Sequence, residues 1–214
     1  MKKAFTLAEV LITLGIIGIV AALTMPALIS NYKKQETGVR LKKFYSSMSQ
    51  AIKLSEADNG EIENWEFTQN ATNENDTKEF FLKYLAPYLK YTNIELRTEE
   101  DIIGYTGEVT RYVISFLDGT TAMLHSGGCF DMEFDTNGYR RKPNRYGYDK
   151  FVILICVPRN NSFCGVNKHF CTYFFAEQPT REIALDKCKE SRLYCSTLLL
   201  YDNWEFKDDY PYKL

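Results

Sequence analysis

Glu9 is the residue whose position most demands chemistry. It lies inside an apolar run that starts at Phe5 and reaches Ile29, behind the short basic stretch Met1-Lys2-Lys3-Ala4. At about 1.5 Å per residue, some 20 helical residues cross the hydrocarbon core of a bilayer. A carboxylate at that depth costs roughly 2.5–3.5 kcal/mol. It therefore takes up a proton or finds a cation. A lone membrane glutamate near the interface that stays solvated is the plainer alternative.

Six cysteines form the second set: Cys129, Cys156, Cys164, Cys171, Cys188 and Cys195. All lie outside the apolar run, and their even number suggests disulfides made in an oxidising compartment. Six cysteines allow 15 pairings, and the sequence does not choose among them. Cys188 and Cys195 on one continuous helix would sit about 10 Å apart along its axis, too far to bond. They pair only if the chain turns between them. Free core thiols and a metal site remain as alternatives. Zinc has no Cys-x-x-Cys pair here, and only His125 and His169 could supply imidazole.

Oxygen donors gather in a third set. Asp131, Glu133, Asp135 and Asn137, with Asp149 downstream, suit calcium by type. The spacing is not that of an EF-hand, because the glycine falls at the wrong place and the closing glutamate is absent. On a strand, Asp131, Glu133 and Asp135 share one face. The simpler reading is a polar strand edge followed by an Asx-stabilised turn. No resident cofactor is implied, with calcium the one candidate. No catalytic set accompanies these residues: a Gly-x-Ser-x-Gly elbow, a Walker loop and a dinucleotide fingerprint are all missing.

The short basic leader, Phe5-Thr6-Leu7 and the buried Glu9 together resemble the processing signal of type IV pilins and type II secretion pseudopilins. The likeness covers Lys2 to about Ile29. It implies that a prepilin peptidase cuts between Ala4 and Phe5 and N-methylates Phe5. Ala4 stands where the family commonly has glycine. The resemblance makes Glu9 a register device. A released amine on the same helix points along the axis and pairs poorly with its own Glu9, whereas a neighbouring subunit shifted by about one turn can offer its amine. Gly15, Gly18 and Ala22 lie close to one face, where small residues let membrane helices approach. Pro26 lacks an N–H and clashes with the Ala22 carbonyl, so a kink or local melting is expected near Ala22–Pro26. A conventional secretory signal peptide is the rival reading, with Lys2 and Lys3 as its basic region and Val20-Ala21-Ala22 as its cleavage site. Glu9 argues against it.

These residues need elements to position them. Leu41, Phe44, Met48 and Ile52 follow helical spacing after the apolar run, and Asp58-Asn59-Gly60 stops the pattern. One helix is therefore expected from Phe5 to about Ala57, apolar all round in its first half and amphipathic in its second. The division expected is leader 1–4, membrane half 5–29, amphipathic half 30–60 and globular domain 61–214. Asn70 to Asp76 reads as a surface loop, and Thr77 to Tyr91 as a helix bent at Pro87. A hairpin is expected from Tyr112–Leu117 and Thr121–Leu124 about a type I′ Asp118-Gly119 turn. Cys129–Phe134 and Phe151–Val157 read as strands, and a helix is expected within Leu185–Leu200. The sum is α+β: a long amino-terminal helix on a small antiparallel sheet, with a carboxyl-terminal region suited to disulfide bracing.

Charge bounds the partners. Removing Lys2 and Lys3 from the 26 basic residues leaves 24 against 28 acidic, a formal charge of −4. That balance gives no case for nucleic acid. Lys33, Lys34, Arg40, Lys42 and Lys43 follow the span, against Glu36 alone, and charge counting would keep that side in the cytoplasm. The cysteines and leader argue for the opposite, a domain in the periplasm. The basic residues would then meet lipid headgroups or acidic neighbours. The function expected is a structural subunit, held in the bacterial inner membrane or assembled in a type IV pilus or type II secretion pseudopilus. Its partners would be the prepilin peptidase, other subunits, the inner-membrane assembly platform and the bilayer. The alternative is a membrane-tethered adhesive or calcium-dependent binding module.

Overall fold

The protein is described by a computed structural model over residues 6–67, 74–100, 108–157, 164, 168–173 and 180–214. Helix α1 (Leu7–Asn59) runs 53 residues. Leu41, Phe44, Met48 and Ile52 form one buried stripe, as their spacing predicts, and the burial begins only at Thr37. Gly60 ends the helix at φ +82°, a conformation that costs a residue without Cβ little, and its N–H returns to the Glu56 carbonyl. A single helical turn, Ile62–Asn64, then drops Ile62 and Trp65 into the core.

Helix α2 (Glu74–Tyr84) buries Phe80, Phe81 and Tyr84. It departs from expectation at both ends. Residues 74–76 are helical instead of loop, and residues 70–73 lie outside the described part. The helix also stops at Tyr84, because a tighter turn over Ala86–Tyr88 takes up Pro87 and the chain is already extended at Tyr91.

Six strands follow: β1 (Tyr91–Glu100), β2 (Glu108–Phe116), β3 (Thr121–Ser126), β4 (Cys129–Asp135), β5 (Lys150–Cys156) and β6 (Phe170–Thr172). Their order in the sheet is their order in the chain, and every pair is antiparallel. β1 and β6 were not marked by the sequence pattern. Phe130, Met132 and Phe134 of β4 and Phe151, Ile153 and Ile155 of β5 face the main core beneath α1. Val152 and Leu154 face the other way, into a smaller cluster with Cys129 and Cys156. Covered on both faces, β5 reads as one unbroken apolar run.

The β2–β3 turn is not type I′. That turn needs positive φ at both central residues, and of Asp118 and Gly119 only Gly119 has it, at +81°. Gly119 N donates to the Phe116 carbonyl at 3.1 Å, and Phe116 N to the Thr120 carbonyl at 2.9 Å, which makes a three-residue loop. Asp118 is kept out of the left-handed region by its side chain, which accepts from Thr120 N and Thr120 Oγ1.

At the carboxyl end, the expected helix over Leu185–Leu200 is two helices, α3 (Arg181–Glu190) and α4 (Cys195–Tyr201), broken at the extended Ser191. The last residues then return to α1. Leu214 O accepts from Ser30 Oγ at 3.0 Å, and Trp204 packs beside Gly38. The architecture is α+β: a long apolar helix, a six-stranded antiparallel sheet and a disulfide-bonded carboxyl-terminal region.

Candidate functional site

The amino-terminal end of α1 carries the candidate site. Ala4 and Phe5 lie outside the described residues. Thr6 is the N-cap, extended at ψ 153°, and Glu9 closes a capping box with it. Glu9 Oε2 accepts from Thr6 N and from Thr6 Oγ1, both at 2.8 Å, and Glu9 N donates to Thr6 Oγ1 at 3.3 Å. The pattern Thr-x-x-Glu was in the sequence as a helix-start signal. It gives Glu9 a partner within its own chain as well as a charge at membrane depth.

From Leu7 to Ile29 the helix packs against nothing in its own chain. Leu7 is 78% exposed and Leu23 76%, and the helix is long and apolar enough to cross a membrane. Gly15 and Gly18 face open space: a Cβ at either would meet nothing within 4 Å. Ala22 is likewise exposed. The chain stays helical through Ala22–Pro26, so the local melting expected there is not seen. Loss of one amide at Pro26 leaves the Ala22 carbonyl without its usual donor, but the turns on either side hold. Thr24 Oγ1 adds a bond to the Val20 carbonyl at 2.9 Å.

The second half of α1 is fastened to the domain near the end of the apolar run. A Cβ on Gly38 would come within 2.1 Å of the Trp204 carbonyl oxygen, so no side chain fits there. Arg40 Nη1 donates to the Thr136 carbonyl at 2.5 Å, Lys43 Nζ pairs with Asp118 at 2.6 Å, and Phe44 stacks on Phe134 at 4.0 Å. Farther on, Arg181 holds Asp202 and Asp209 together and so braces the tail.

All six cysteines are paired. Cys129–Cys156 joins directly opposed residues of β4 and β5, Cys164–Cys171 is local, and Cys188–Cys195 spans the break between α3 and α4 with Cα atoms 4.6 Å apart. The turn required for that last pair is the one at Ser191.

The oxygen donors are placed on one side of the sheet but turned to different tasks. Glu133 pairs with Lys150 at 3.1 Å and accepts from the Tyr146 hydroxyl, all in the interior. Asp135 Oδ1 accepts from the backbone of Asn137 and Gly138, and burial pushes its carboxyl up to about 7. Asp149 accepts from Asn144 N, Arg145 N and Asn137 Nδ2. Asp131 stands opposite His125 in the sheet. Burial, then the Glu133 charge, raises Asp131 well above the carboxylate range, while burial and Arg111 push His125 down to about 4. Among the described residues no three such side chains converge to hold a metal ion. Asp149 and Asp135 hold the β4–β5 connection in shape by taking backbone donors.

Residues 27–214 match a family of unknown function (DUF6613). The chain belongs to that family. Residues 1–25 match the prokaryotic N-terminal methylation motif, the stretch that holds Ala4, Phe5 and Glu9. No curated protein and no solved structure matches the chain. The two matches meet at Pro26, so the DUF6613 family covers the domain and the half of α1 that packs on it. The motif covers the exposed apolar half. The signal supports a type IV pilin-like or pseudopilin-like processed subunit and points to a structural role.

Proposed function

We propose that the chain is inserted in the inner membrane through Leu7–Ile29, cut between Ala4 and Phe5, N-methylated on Phe5, and assembled through α1 into a pilus or secretion pseudopilus. Its domain would face the periplasm, an orientation that three disulfides suit. The observation that carries this reading is the methylation motif on a helix half with no partner in its own chain. An apolar surface of that extent is covered by lipid, by other helices, or by each in turn.

In assembly, Glu9 exchanges the Thr6 amide for the terminal amine of the next subunit. The two roles are separable. Glu9→Gln keeps a capping-box side chain but removes the charge. The expected result is normal insertion and cleavage with loss of filaments and of α1–α1 cross-links. Normal filaments from that variant would show that Glu9 only caps the helix.

A further inference from the structure

The connection between β4 and β5 carries Arg140, Arg141, Lys142 and Arg145 within six residues, all exposed. Arg140 rests on Tyr139, donating Nε to its hydroxyl at 2.8 Å, and its charge is partly met by Glu95, which accepts from the same hydroxyl. Arg141, Lys142 and Arg145 have no acidic partner among the described residues. Several other cations of the domain are neutralised in place: Lys43 by Asp118, Lys83 by Glu66, Arg181 by Asp202 and Asp209, Lys187 by Glu190, Lys189 by Asp186. The acids nearest the loop are occupied. Asp135 and Asp149 take its backbone amides, and Glu36 is held by Arg40. The loop backbone is fixed further by Asn144 Nδ2 on the Tyr139 carbonyl at 2.7 Å and Arg141 N on the Gly138 carbonyl at 2.8 Å. A built loop thus presents three cations, Arg141, Lys142 and Arg145, with no acidic partner among the described residues, on a chain of net acidic balance.

Its place in the fold identifies the partner. β4 descends along α1. Phe130 meets Phe80 near the far end of the helix, where Trp65 Nε1 bonds the Gly60 carbonyl. Phe134 lies on Phe44, and Thr136 reaches Arg40. The connection is therefore at the end of the sheet nearest the apolar run, where exposed Lys33 and Lys213 also stand. Arg40 is eleven residues past Ile29, about 16 Å along the axis. Headgroups occupy about 5–8 Å of that per leaflet, and the remainder is about one Debye length at physiological salt. A helix tilt of about 20° toward the loop shortens it further.

We infer that the β4–β5 connection binds the anionic headgroups of the leaflet from which the domain emerges, through Arg140, Arg141, Lys142 and Arg145. It thereby holds the domain down on the membrane before assembly. This rests on α1 being membrane-resident. A single-stranded polynucleotide is the other polyanion that such a loop could attract. It is disfavoured because cations already sit over the loop's aromatic rings, Arg97 and Arg140 over Tyr139 and Lys150 over Tyr146, where a base would stack.

The test uses the full chain in nanodiscs of phosphatidylcholine alone or with phosphatidylglycerol, and the acetylation rate of Lys142 read against that of Lys53 by mass spectrometry. The expected result is at least about fivefold slower labelling of Lys142 in the anionic discs, the weight of one cation near such a surface, relieved by high salt. Equal rates in the two discs would overturn the inference while leaving α1 in the membrane. Protection by an added single-stranded oligonucleotide in neutral discs, with none from phosphatidylglycerol, would overturn it in favour of a polynucleotide partner. A chain that leaves the disc fraction would refute both this inference and the membrane reading of α1.

Discussion

Glu9 has two partners to choose between, Thr6 in its own helix and an amine from outside. Both are legible in the sequence, one as a Thr-x-x-Glu spacing and one as a charge in an apolar run. The carboxylates of β4 were legible only in part. Alternation put Asp131, Glu133 and Asp135 on one face. It could not show that Asp135 would be capped by Asn137 and Gly138, or that Lys150 would meet Glu133 across the sheet. Burial, working against those two amides, makes Asp135 a source of pH dependence. Its carboxyl is raised in the folded state to about 7 from an ordinary 3.8, so between those values the folded chain holds a proton that the unfolded chain has lost. Stability then falls as pH rises through that window, by at most about 1.4 kcal/mol per pH unit. Asp131 acts in the same direction. His125 acts oppositely between about 4 and 6.5, where the unfolded imidazole binds the extra proton. Asp135→Asn keeps an acceptor for the two amides and removes the titration. Its denaturant midpoint is expected to exceed that of the parent at pH 8 and to match it at pH 4. An equal loss at both would contradict the assignment.

At the scale of elements, α1 was the most legible, because Leu41, Phe44, Met48 and Ile52 recur with its period and Gly60 stops it. The sheet was legible where strands are buried on a face and bounded by turns, as in β3 to β5. β1 was hidden because its residues alternate charge and polarity at the sheet margin, and β6 because it has three residues. The docking of the tail on α1 was not legible at all, since a close approach of one carbonyl to Gly38 is a long-range fact. It gives a sharp contrast. Gly38→Ala is expected to cost about 1–3 kcal/mol of stability through overpacking. Gly18→Ala, facing open space, should leave the melt of the detergent-solubilised chain unchanged. Equal effects at the two sites would remove the tail contact from the picture. The disulfides order similarly. With its cysteines 27 positions apart, Cys129–Cys156 restrains the unfolded chain more than Cys188–Cys195, whose cysteines are 7 apart. Replacing each pair by serine is expected to cost about 3.5 and about 2.4 kcal/mol respectively in chemical denaturation. The reverse order would show that local packing around Cys188 outweighs loop entropy.

Across the whole molecule, helix α1 divides at Pro26 into a half without partners in its own chain and a half built into a disulfide-braced domain. The whole-chain charge balance concealed the local one. Near-neutrality masks a loop that gathers four cations within six residues. If the domain matures outside the cytoplasm, thiol labelling of unreduced native protein should find all six cysteines blocked, and free thiols would place it elsewhere. The most direct measurement remains the mass of the amino-terminal peptide of protein isolated from its host membrane. A peptide beginning at Phe5 and heavier by one methyl group is the expected result. A chain that begins at Leu23, or that retains Met1, would contradict processing as a pilin-like subunit.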